Sequence, residues 1–318
     1  MTTPPRDVAL ARRIAERHGA DPATVDALPG VGRVNHVHIA RRGDEQVVIR
    51  FAIDPLRADE FDAERWCIAR ARAAGITAPA PVAHGSLDGV PYLVLQYVPG
   101  WPGTEIAPEH AWHRLGRFAA DVAALEPGED APAGLFSRFG RDLPAAWRAH
   151  VRYNLDALGG GDPLIARRVY AAADAQRLAA AIRSLLDAPL TFGLSHGDLA
   201  PRNMIVQEGT GQDAALIDWG GASAGPAPWT DLEMVYRWHL TALPEGFEVP
   251  VTADDLAAFA RGCGIELAAV TPLLEALVLL RSLDLARWAK DVRPDLLPQY
   301  AAEAARLVGR FLAGGQPV

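Results

Sequence analysis

The sequence predicts an α+β protein in two parts, a strand-rich N-terminal lobe over residues 1–97 and a mostly helical C-terminal lobe over 98–318. With 318 residues the chain is long for one domain and comfortable for two. Short β-branched runs bounded by Gly and Pro lie mostly before residue 100, as strands require. After Trp101 the apolar residues recur at helical spacing.

Composition describes an ordinary globular chain, half of it hydrophobic and 22% charged. The net charge of −8 arises after residue 100, which disfavours nucleic acid and anionic membrane and favours a cationic ligand, although mild acidity also serves solubility. Cys67 and Cys263 lie far apart, and neither an apolar leader nor an 18-residue apolar run is present. We therefore expect a reduced, cytoplasmic protein that does not associate with membranes; its oligomeric state stays open.

The N-terminal elements follow from local pattern. Amphipathic spacing, glycine stops and alternating strands predict the following order: a helix over 8–18, a short helical turn over 21–28, a glycine-containing loop over 29–35, strands over 36–40 and 46–51, a helix over 61–74, an extended Pro-rich connector over 76–82 and an apolar strand over 92–98.

The C-terminal part is predicted to be helical except around one hairpin. The predicted elements are helices over 109–125, 143–158 and 170–186, a hairpin of strands 204–206 and 214–217, a loop over 220–228, a helix to Leu240 with Thr230 as N-cap, and helices over 253–263, 270–290 and 297–312.

Three oxygen-bearing side chains surround this hairpin. Antiparallel pairing places Asn203 and Asp218 near one end, with Asp198 on the loop just before it. A carboxylate and a carboxamide are ligands that Mg²⁺ prefers, and one acid remains to handle a proton. Each acid alone is better explained as a turn or capping residue, but the joint pattern is far more specific.

The pattern His196-Gly-Asp198-Leu-x-x-x-Asn203 followed by Ile-Asp218-Trp has the Asp and Asn spacing of the protein-kinase catalytic loop. With Gly after the His and Ile-Asp-Trp in place of Asp-Phe-Gly, it resembles the aminoglycoside phosphotransferase and choline kinase group of small-molecule kinases. The resemblance spans roughly 30–238 and implies a two-lobed protein-kinase-like fold with a five-stranded antiparallel N-lobe sheet. It implies Asp198 as base and Asn203 and Asp218 as Mg²⁺ ligands.

The resemblance also implies a nucleotide site in the N-terminal lobe, for ATP or GTP as phosphoryl donor. The glycine loop would cover the phosphates, Arg50 would bind the α- and β-phosphates, Glu64 or alternatively Glu60 would orient that cation, and the main chain at the hinge would bind the purine. The implied residues are Gly30, Gly32, Asn35, Arg50, Glu64, Gln96 and Val98. On the residues alone, Arg50 is better explained as a solvent-facing strand residue, and paired glycines usually mark turns.

Several other residues carry weaker expectations. His196 is expected to brace its loop, and Asp231 to support the catalytic loop rather than take part in chemistry. Arg202 could steady the transferred phosphate or face solvent. The acceptor region would include four aromatic residues that are more often core and four acids that a solvated helix face explains as well: Trp229, Tyr236, Trp238, Trp288, Asp254, Asp255, Glu275 and Asp284.

The expected reaction is phosphorylation of a hydroxyl on a small molecule, and the acidity after residue 100 favours a cationic one. An aminoglycoside-like or other antibiotic is the leading acceptor, and a metabolic acceptor such as choline, homoserine, a sugar or an amino sugar is the alternative. Both acceptors need the same catalytic residues, so the motifs do not separate them. A catalytically dead nucleotide-binding module is a third hypothesis, but it would have lost at least one of Asp198, Asn203 and Asp218, and all three are present.

Overall fold

The computed structural model describes residues 6–28, 35–52, 58–207, 214–241 and 250–314. The chain divides into two compact units. The first comprises residues 1–107, 127–135 and 196–223, and the second comprises 108–126, 136–195 and 224–318. The segment that carries the predicted catalytic loop therefore groups with the N-terminal residues, and the lobe boundary after residue 97 stays a prediction.

In its described residues the first unit contains two α-helices and a large and a small sheet. Its elements are α1 Arg6–Arg17, β1 Asp21–Ala27, β2 Asn35–Arg42, β3 Glu45–Ala52, α2 Ala58–Ala73, β4 Pro81–Leu87, β5 Val90–Gln96 and β6 Trp101–Pro102, and later in the chain β8 Met204–Val206 and β9 Ala214–Leu216. The large sheet has the order β1-β2-β3-β5-β4, and every neighbouring pair is antiparallel. This confirms the five-stranded antiparallel sheet.

One face of this sheet packs into a core. Ile14 and Ala11 of α1 lie against Ile49 and Phe51 of β3 and Val94 of β5, all of them buried. Alternation along β3 directs the apolar side chains into this core, which fixes the register of the strand. Arg50 lies between Ile49 and Phe51, so that alternation places it on the opposite face of the sheet.

The short helical turn predicted over 21–28 is wrong, because this segment is strand β1. Its end pairs with β2 through Ala27 opposite His38 and Asp26 opposite Ile39, and Val25 is buried. The Asp21 side chain accepts a hydrogen bond from the Ala23 backbone N–H at 2.9 Å, a local bond that is typical of turns as well as of helix starts. The apolar residues are too few to decide the period, and pairing with β2 decides the conformation.

The second unit is mainly helical. Its elements are α3 Pro108–Ala123, α4 Leu143–Ala157, α5 Pro163–Ala166, α6 Ala175–Arg183, β7 Phe192–Ser195, α7 Trp229–Leu240, α8 Ala253–Gly262, α9 Leu267–Val292 and α10 Leu297–Leu312; β10 Ser223–Pro226 begins at the last residue of the first unit and pairs with β7. A β-carbon on Gly116 of α3 would lie 2.0 Å from the Phe259 carbonyl oxygen of α8, so these helices pack closely only because that position is Gly.

The predicted N-cap of α7 is wrong. The helix begins at Trp229 with Pro228 as its N-cap, which places Thr230 inside the first turn. The Thr230 hydroxyl instead donates a hydrogen bond to the Pro226 carbonyl at 2.6 Å.

In the described part of the chain no single helix is long and apolar enough to cross a membrane; α8 and α9 reach that length and hydropathy only together, across a bend of 103°.

His196 braces the loop that precedes β8. Its Nε2 lies 3.1 Å from the Ile217 carbonyl, which can only accept, so Nε2 carries the proton. Its Nδ1 then accepts from the Asp198 backbone N–H at 3.3 Å, and the ring meets Trp219 edge-on with centroids 4.9 Å apart. The neutral imidazole therefore satisfies both partners. Burial lowers the pKa of His196 to about 4, although nearby carboxylates oppose the shift.

A buried neutral His196 makes stability depend on pH. Between its unfolded pKa of about 6.5 and its folded pKa of about 4, the unfolded chain binds more protons, so the stability due to this group is lost as pH falls through that window. We expect wild type to lose about 2 kcal/mol more than His196→Gln in unfolding free energy between pH 7 and pH 5, measured by urea titration. His84→Gln, at an exposed histidine, is the control and should lose as much unfolding free energy as wild type. Equal losses of unfolding free energy in all three proteins would contradict a buried neutral imidazole at His196.

Candidate active site

The hairpin of β8 and β9 brings the predicted metal ligands together. Met204 pairs with Leu216 in antiparallel register, so Asn203 directly precedes one strand and Asp218 closely follows the other. The Ile217 N–H donates to the Asn203 carbonyl at 2.9 Å and ties the two strand ends. The pairing that the sequence predicts for this hairpin is confirmed.

Asp198 lies directly beside Asn203. The Asn203 Nδ2 donates to the backbone carbonyl and to Oδ2 of Asp198, both at 2.8 Å. Two donors belong to an amide nitrogen, so these bonds assign the amide's orientation and direct its oxygen, which is an acceptor, away from Asp198. Asn203 is 5% exposed, and these two bonds hold its carboxamide in place.

Arg202 contacts the same carboxylate. Its Nη2 lies 2.7 Å from Oδ1 and 2.9 Å from Oδ2 of Asp198. The sequence left this arginine undecided between phosphate and solvent. The structure pairs it with Asp198, an outcome that neither alternative included.

Asp218 adopts a left-handed backbone conformation, with φ 62° and ψ 62°. This region is uncommon for residues other than Gly, but Asp tolerates it better than most. Such a conformation costs on the order of 1–3 kcal/mol and persists only where the surroundings impose it, which is common at functional sites. It turns the chain sharply after β9 and leaves the Asp218 side chain 47% exposed.

One guanidinium connects these residues with the large sheet. Arg50 on β3 donates through Nη1 to Glu64 of α2, and through Nη2 to Asp218 Oδ1 at 2.8 Å. Arg50 is 9% exposed and Glu64 1%. The Trp219 backbone N–H also bonds to Glu64. Glu64 is thus the described partner of Arg50, whereas the side chain of Glu60 lies outside the described residues.

Burial and charged neighbours together shift the pKa of Arg50 and of Glu64. Burial opposes the positive charge of Arg50, but Glu64 and Asp218 outweigh it and hold the pKa of Arg50 above its ordinary value. Burial also raises the pKa of Glu64, and the guanidinium opposes that shift. The Glu64 carboxylate therefore depends on Arg50 for its charge, and the position of Arg50 depends on Glu64.

The other predicted nucleotide residues are only partly described. Asn35 opens β2 opposite Ala52, while Gly30 and Gly32 lie outside the described residues. At the predicted hinge the Gln96 N–H donates to the Ala80 carbonyl at 2.8 Å, and the next N–H, of Tyr97, donates to the Gln46 carbonyl at 2.9 Å. Those two N–H groups are used within the sheet, so a main-chain donor for a ligand would have to come from Val98.

At least half of the eight residues suggested for the acceptor region have polar partners within the chain. Tyr236 donates its hydroxyl to Glu275, which also accepts from Arg310. Asp255 completes a capping box with Thr252 at the start of α8. These contacts are structural. Asp284 lies 3.2 Å from His150 Nε2 and accepts from Asn154. Of the rest, Trp238 is buried, Trp229 is half-buried, Asp254 is exposed and Trp288 is 36% exposed.

Asp231, which is expected to support the catalytic loop, is fully buried in the first turn of α7. That supporting role stays a prediction.

Two contacts of this site were not predicted from the sequence. The bond between Arg50 and Asp218 joins positions 168 residues apart, for which local spacing carries no signal. Gly197, with φ 78°, packs so closely that a β-carbon would lie 2.0 Å from the Gly221 carbonyl oxygen. The two glycines, at 197 and 221, are the sequence feature that could have indicated this close contact.

Within the described ranges no group of three or more His, Cys, Asp or Glu side chains could hold a metal alone.

Comparison with known proteins identifies the chain's relatives. The family model described as "Phosphotransferase enzyme family", APH, matches residues 31–265. No curated protein sequence gives a significant match.

Solved structures match over nearly the whole chain. The GDP complex of wild-type aminoglycoside 2'-phosphotransferase-IIIa is 16% identical, with TM-score 0.66 over 96% of this chain and 100% of that one. A thermostable mutant of aminoglycoside phosphotransferase APH(4)-Ia, in ternary complex with AMP-PNP and hygromycin B, is 19% identical, with TM-score 0.64 over 96% and 99%. The GDP and kanamycin complex of APH(2")-IIia is 17% identical, with TM-score 0.59 over 92% and 94%. At these identities the likeness is one of fold.

The fold is thus shared with aminoglycoside phosphotransferases, and in this chain it carries the five-stranded sheet, the hairpin with its flanking Asp and Asn residues, and the buried Arg and Glu pair. Since the family model covers most of its length, the chain belongs to the APH phosphotransferase enzyme family.

Proposed function

We propose that this phosphotransferase moves the γ-phosphoryl group of ATP or GTP to a hydroxyl of a small molecule, with an aminoglycoside-like or other antibiotic as the leading acceptor class. The observation that carries the proposal is the convergence of Asp198, Asn203 and Asp218 in one unit with the Arg50–Glu64 pair. Relatives of this fold hold GDP, AMP-PNP, kanamycin or hygromycin B, which supports a nucleotide donor and a hydroxylated, cationic acceptor.

The oxygen ligands fit Mg²⁺. Asn203 presents its amide oxygen because its nitrogen is bound to Asp198, and Asp218 has a half-exposed carboxylate with one oxygen on Arg50. Mg²⁺ is commonly held by one or two protein oxygens together with substrate phosphates, so the lack of a larger carboxylate group in the described chain agrees with such a site. When bound, Mg²⁺ would neutralise charge on the nucleotide phosphates.

Arg50 and Asp198 have separate tasks in the proposed transfer. Arg50 stays protonated, and its fork can bind phosphate oxygens while Glu64 fixes its direction. Asp198 orients the acceptor hydroxyl and takes its proton as the new O–P bond forms and the bond from γ-phosphorus to the bridging oxygen breaks. The nucleoside diphosphate leaves with that bond's electrons. Val98 and the glycine loop over 29–35 would complete nucleotide binding.

Asp198 is expected to be essential. Asp198→Ala removes the base and the group that orients the hydroxyl, so turnover should fall by at least about 100-fold. The assay is nucleoside diphosphate release with a panel of kanamycin, hygromycin B, choline, homoserine and simple sugars. Asp187→Ala, at an exposed aspartate of the second unit, is the matched control and should retain wild-type turnover. Near-normal turnover by Asp198→Ala would overturn the assignment, and turnover of a metabolic acceptor alone would overturn the antibiotic class.

Nucleotide binding is expected to require Mg²⁺ and Asp218. At nucleotide concentrations about 100 times Kd, binding stabilises the fold by about 2.7 kcal/mol, which raises the melting temperature. We expect AMP-PNP or GTP to raise the melting temperature with Mg²⁺ and much less with EDTA, and Asp218→Asn to abolish most of the difference. Asp44→Asn, at an exposed turn, is the control. Absence of any Mg²⁺-dependent shift in wild type with either nucleotide would contradict an active kinase.

A further inference from the structure

Arg202 is the charged group in closest contact with the carboxylate to which we assign proton transfer. One Arg202 nitrogen, Nη2, contacts both carboxylate oxygens of Asp198, at 2.7 and 2.9 Å. Of these two oxygens, Asn203 Nδ2 contacts Oδ2 alone, at 2.8 Å. Oδ2 therefore has two donors, and Oδ1 is held by Arg202. The terminal torsion of an Asp side chain is broad and roughly two-fold, so contacts of this kind determine where each oxygen points.

The local backbone directs Arg202 toward Asp198. A 3₁₀ helix over Pro201–Asn203 begins with Pro201, which presets its backbone angle. The Ala200 N–H donates to the Asp198 carbonyl at 3.0 Å, and the Asn203 N–H donates to the Ala200 carbonyl at 2.9 Å. This compact turn brings the side chain four residues after Asp198 back over the carboxylate.

The arginine does not enclose the carboxylate. The Asp198 side chain is 29% exposed and that of Arg202 35%. Each carboxylate oxygen has two lone pairs, and Oδ1 uses one of them for Arg202. Because the Asp198 side chain is partly exposed, the second lone pair of Oδ1 suffices to accept a bond from an acceptor hydroxyl. The contact therefore restrains the base without occluding it.

We propose that Arg202 is a positioning residue for the transfer, which holds Asp198 Oδ1 in the direction from which the acceptor hydroxyl is bound. This inference rests on the proposed function, because it acts through Asp198 as the base. Two other roles for the same arginine make different predictions. An arginine that bound the nucleotide phosphates would set nucleotide affinity, and one that masked the base would slow the enzyme.

The test is a double-mutant cycle between Arg202→Ala and Asp198→Ala. We expect Arg202→Ala to lower kcat on the order of 10- to 100-fold, because a small misplacement of a reacting group has effects of this size, with KM for the nucleotide unchanged. In the Asp198→Ala background the same change should alter kcat by about twofold or less. Arg202→Lys should recover part of kcat, since one nitrogen makes the contact with Asp198 and a lysine ammonium supplies one charged nitrogen. The acceptor is the best substrate of the panel above, or water where none turns over.

Arg13→Ala is the matched control. Arg13 pairs with Asp88 on the surface of the same unit, and both side chains are more than half exposed. The variant therefore removes an arginine–aspartate pair that is remote in sequence from the catalytic loop. It should leave kcat unchanged.

Several results would overturn the positioning role. The first is a raised kcat in Arg202→Ala, and the second is a higher KM for the nucleotide with kcat unchanged. The others are wild-type kinetics in Arg202→Ala, and an equal loss of kcat in the wild-type and Asp198→Ala backgrounds. A failure of the proposed function is distinguishable from these, because Asp198→Ala would then keep its turnover. Melting temperatures of all variants identify any loss of kcat that is due to unfolding.

Discussion

The Arg50 guanidinium is the interaction on which the arrangement of this site depends. It joins β3, helix α2 and the end of the β8–β9 hairpin by contacting Glu64 and Asp218. Glu64 is buried and pairs with this cation, while the left-handed Asp218 holds its carboxylate toward it. Removing one member of such a buried pair typically costs about 3–5 kcal/mol, because the other charge is left uncompensated. The pair therefore fixes where the proposed metal ligand lies relative to the sheet.

A second set of contacts depends on this arrangement. The Ile217 N–H and the His196 ring tie the end of β9 to the loop that carries Asp198. Asn203 and Arg202 then restrain the Asp198 carboxylate. Each of these groups is held by a neighbour within the same compact unit. Preorganisation of this kind is what phosphoryl transfer requires, since the protein contributes mainly position and charge.

The sequence was informative where one motif carried its own geometry. The hairpin around 204–216 and its flanking Asp and Asn residues follow from strand pattern and spacing, and the structure pairs them as expected. The segment over 21–27 shows the limit, because its conformation is decided by pairing with β2, which no local pattern reveals. The contact of Arg202 with Asp198 depends on a 3₁₀ turn whose direction the sequence does not specify. The acids of the helical region, such as Glu275, looked available in sequence but are bound to Tyr236 and Arg310.

Calorimetric titration of nucleotide with Mg²⁺ tests the central claim most directly. The proteins are wild type, Arg50→Met, Glu64→Gln and the surface control Arg13→Met, titrated with AMP-PNP or GDP, whichever binds wild type. A charged hydrogen bond contributes about 1.5–3 kcal/mol, so Arg50→Met should weaken binding by roughly 10- to 100-fold. Glu64→Gln should weaken it by a smaller factor, because Arg50 then loses one of its two charged partners but keeps Asp218. Wild-type affinity in folded Arg50→Met and Glu64→Gln would contradict the account.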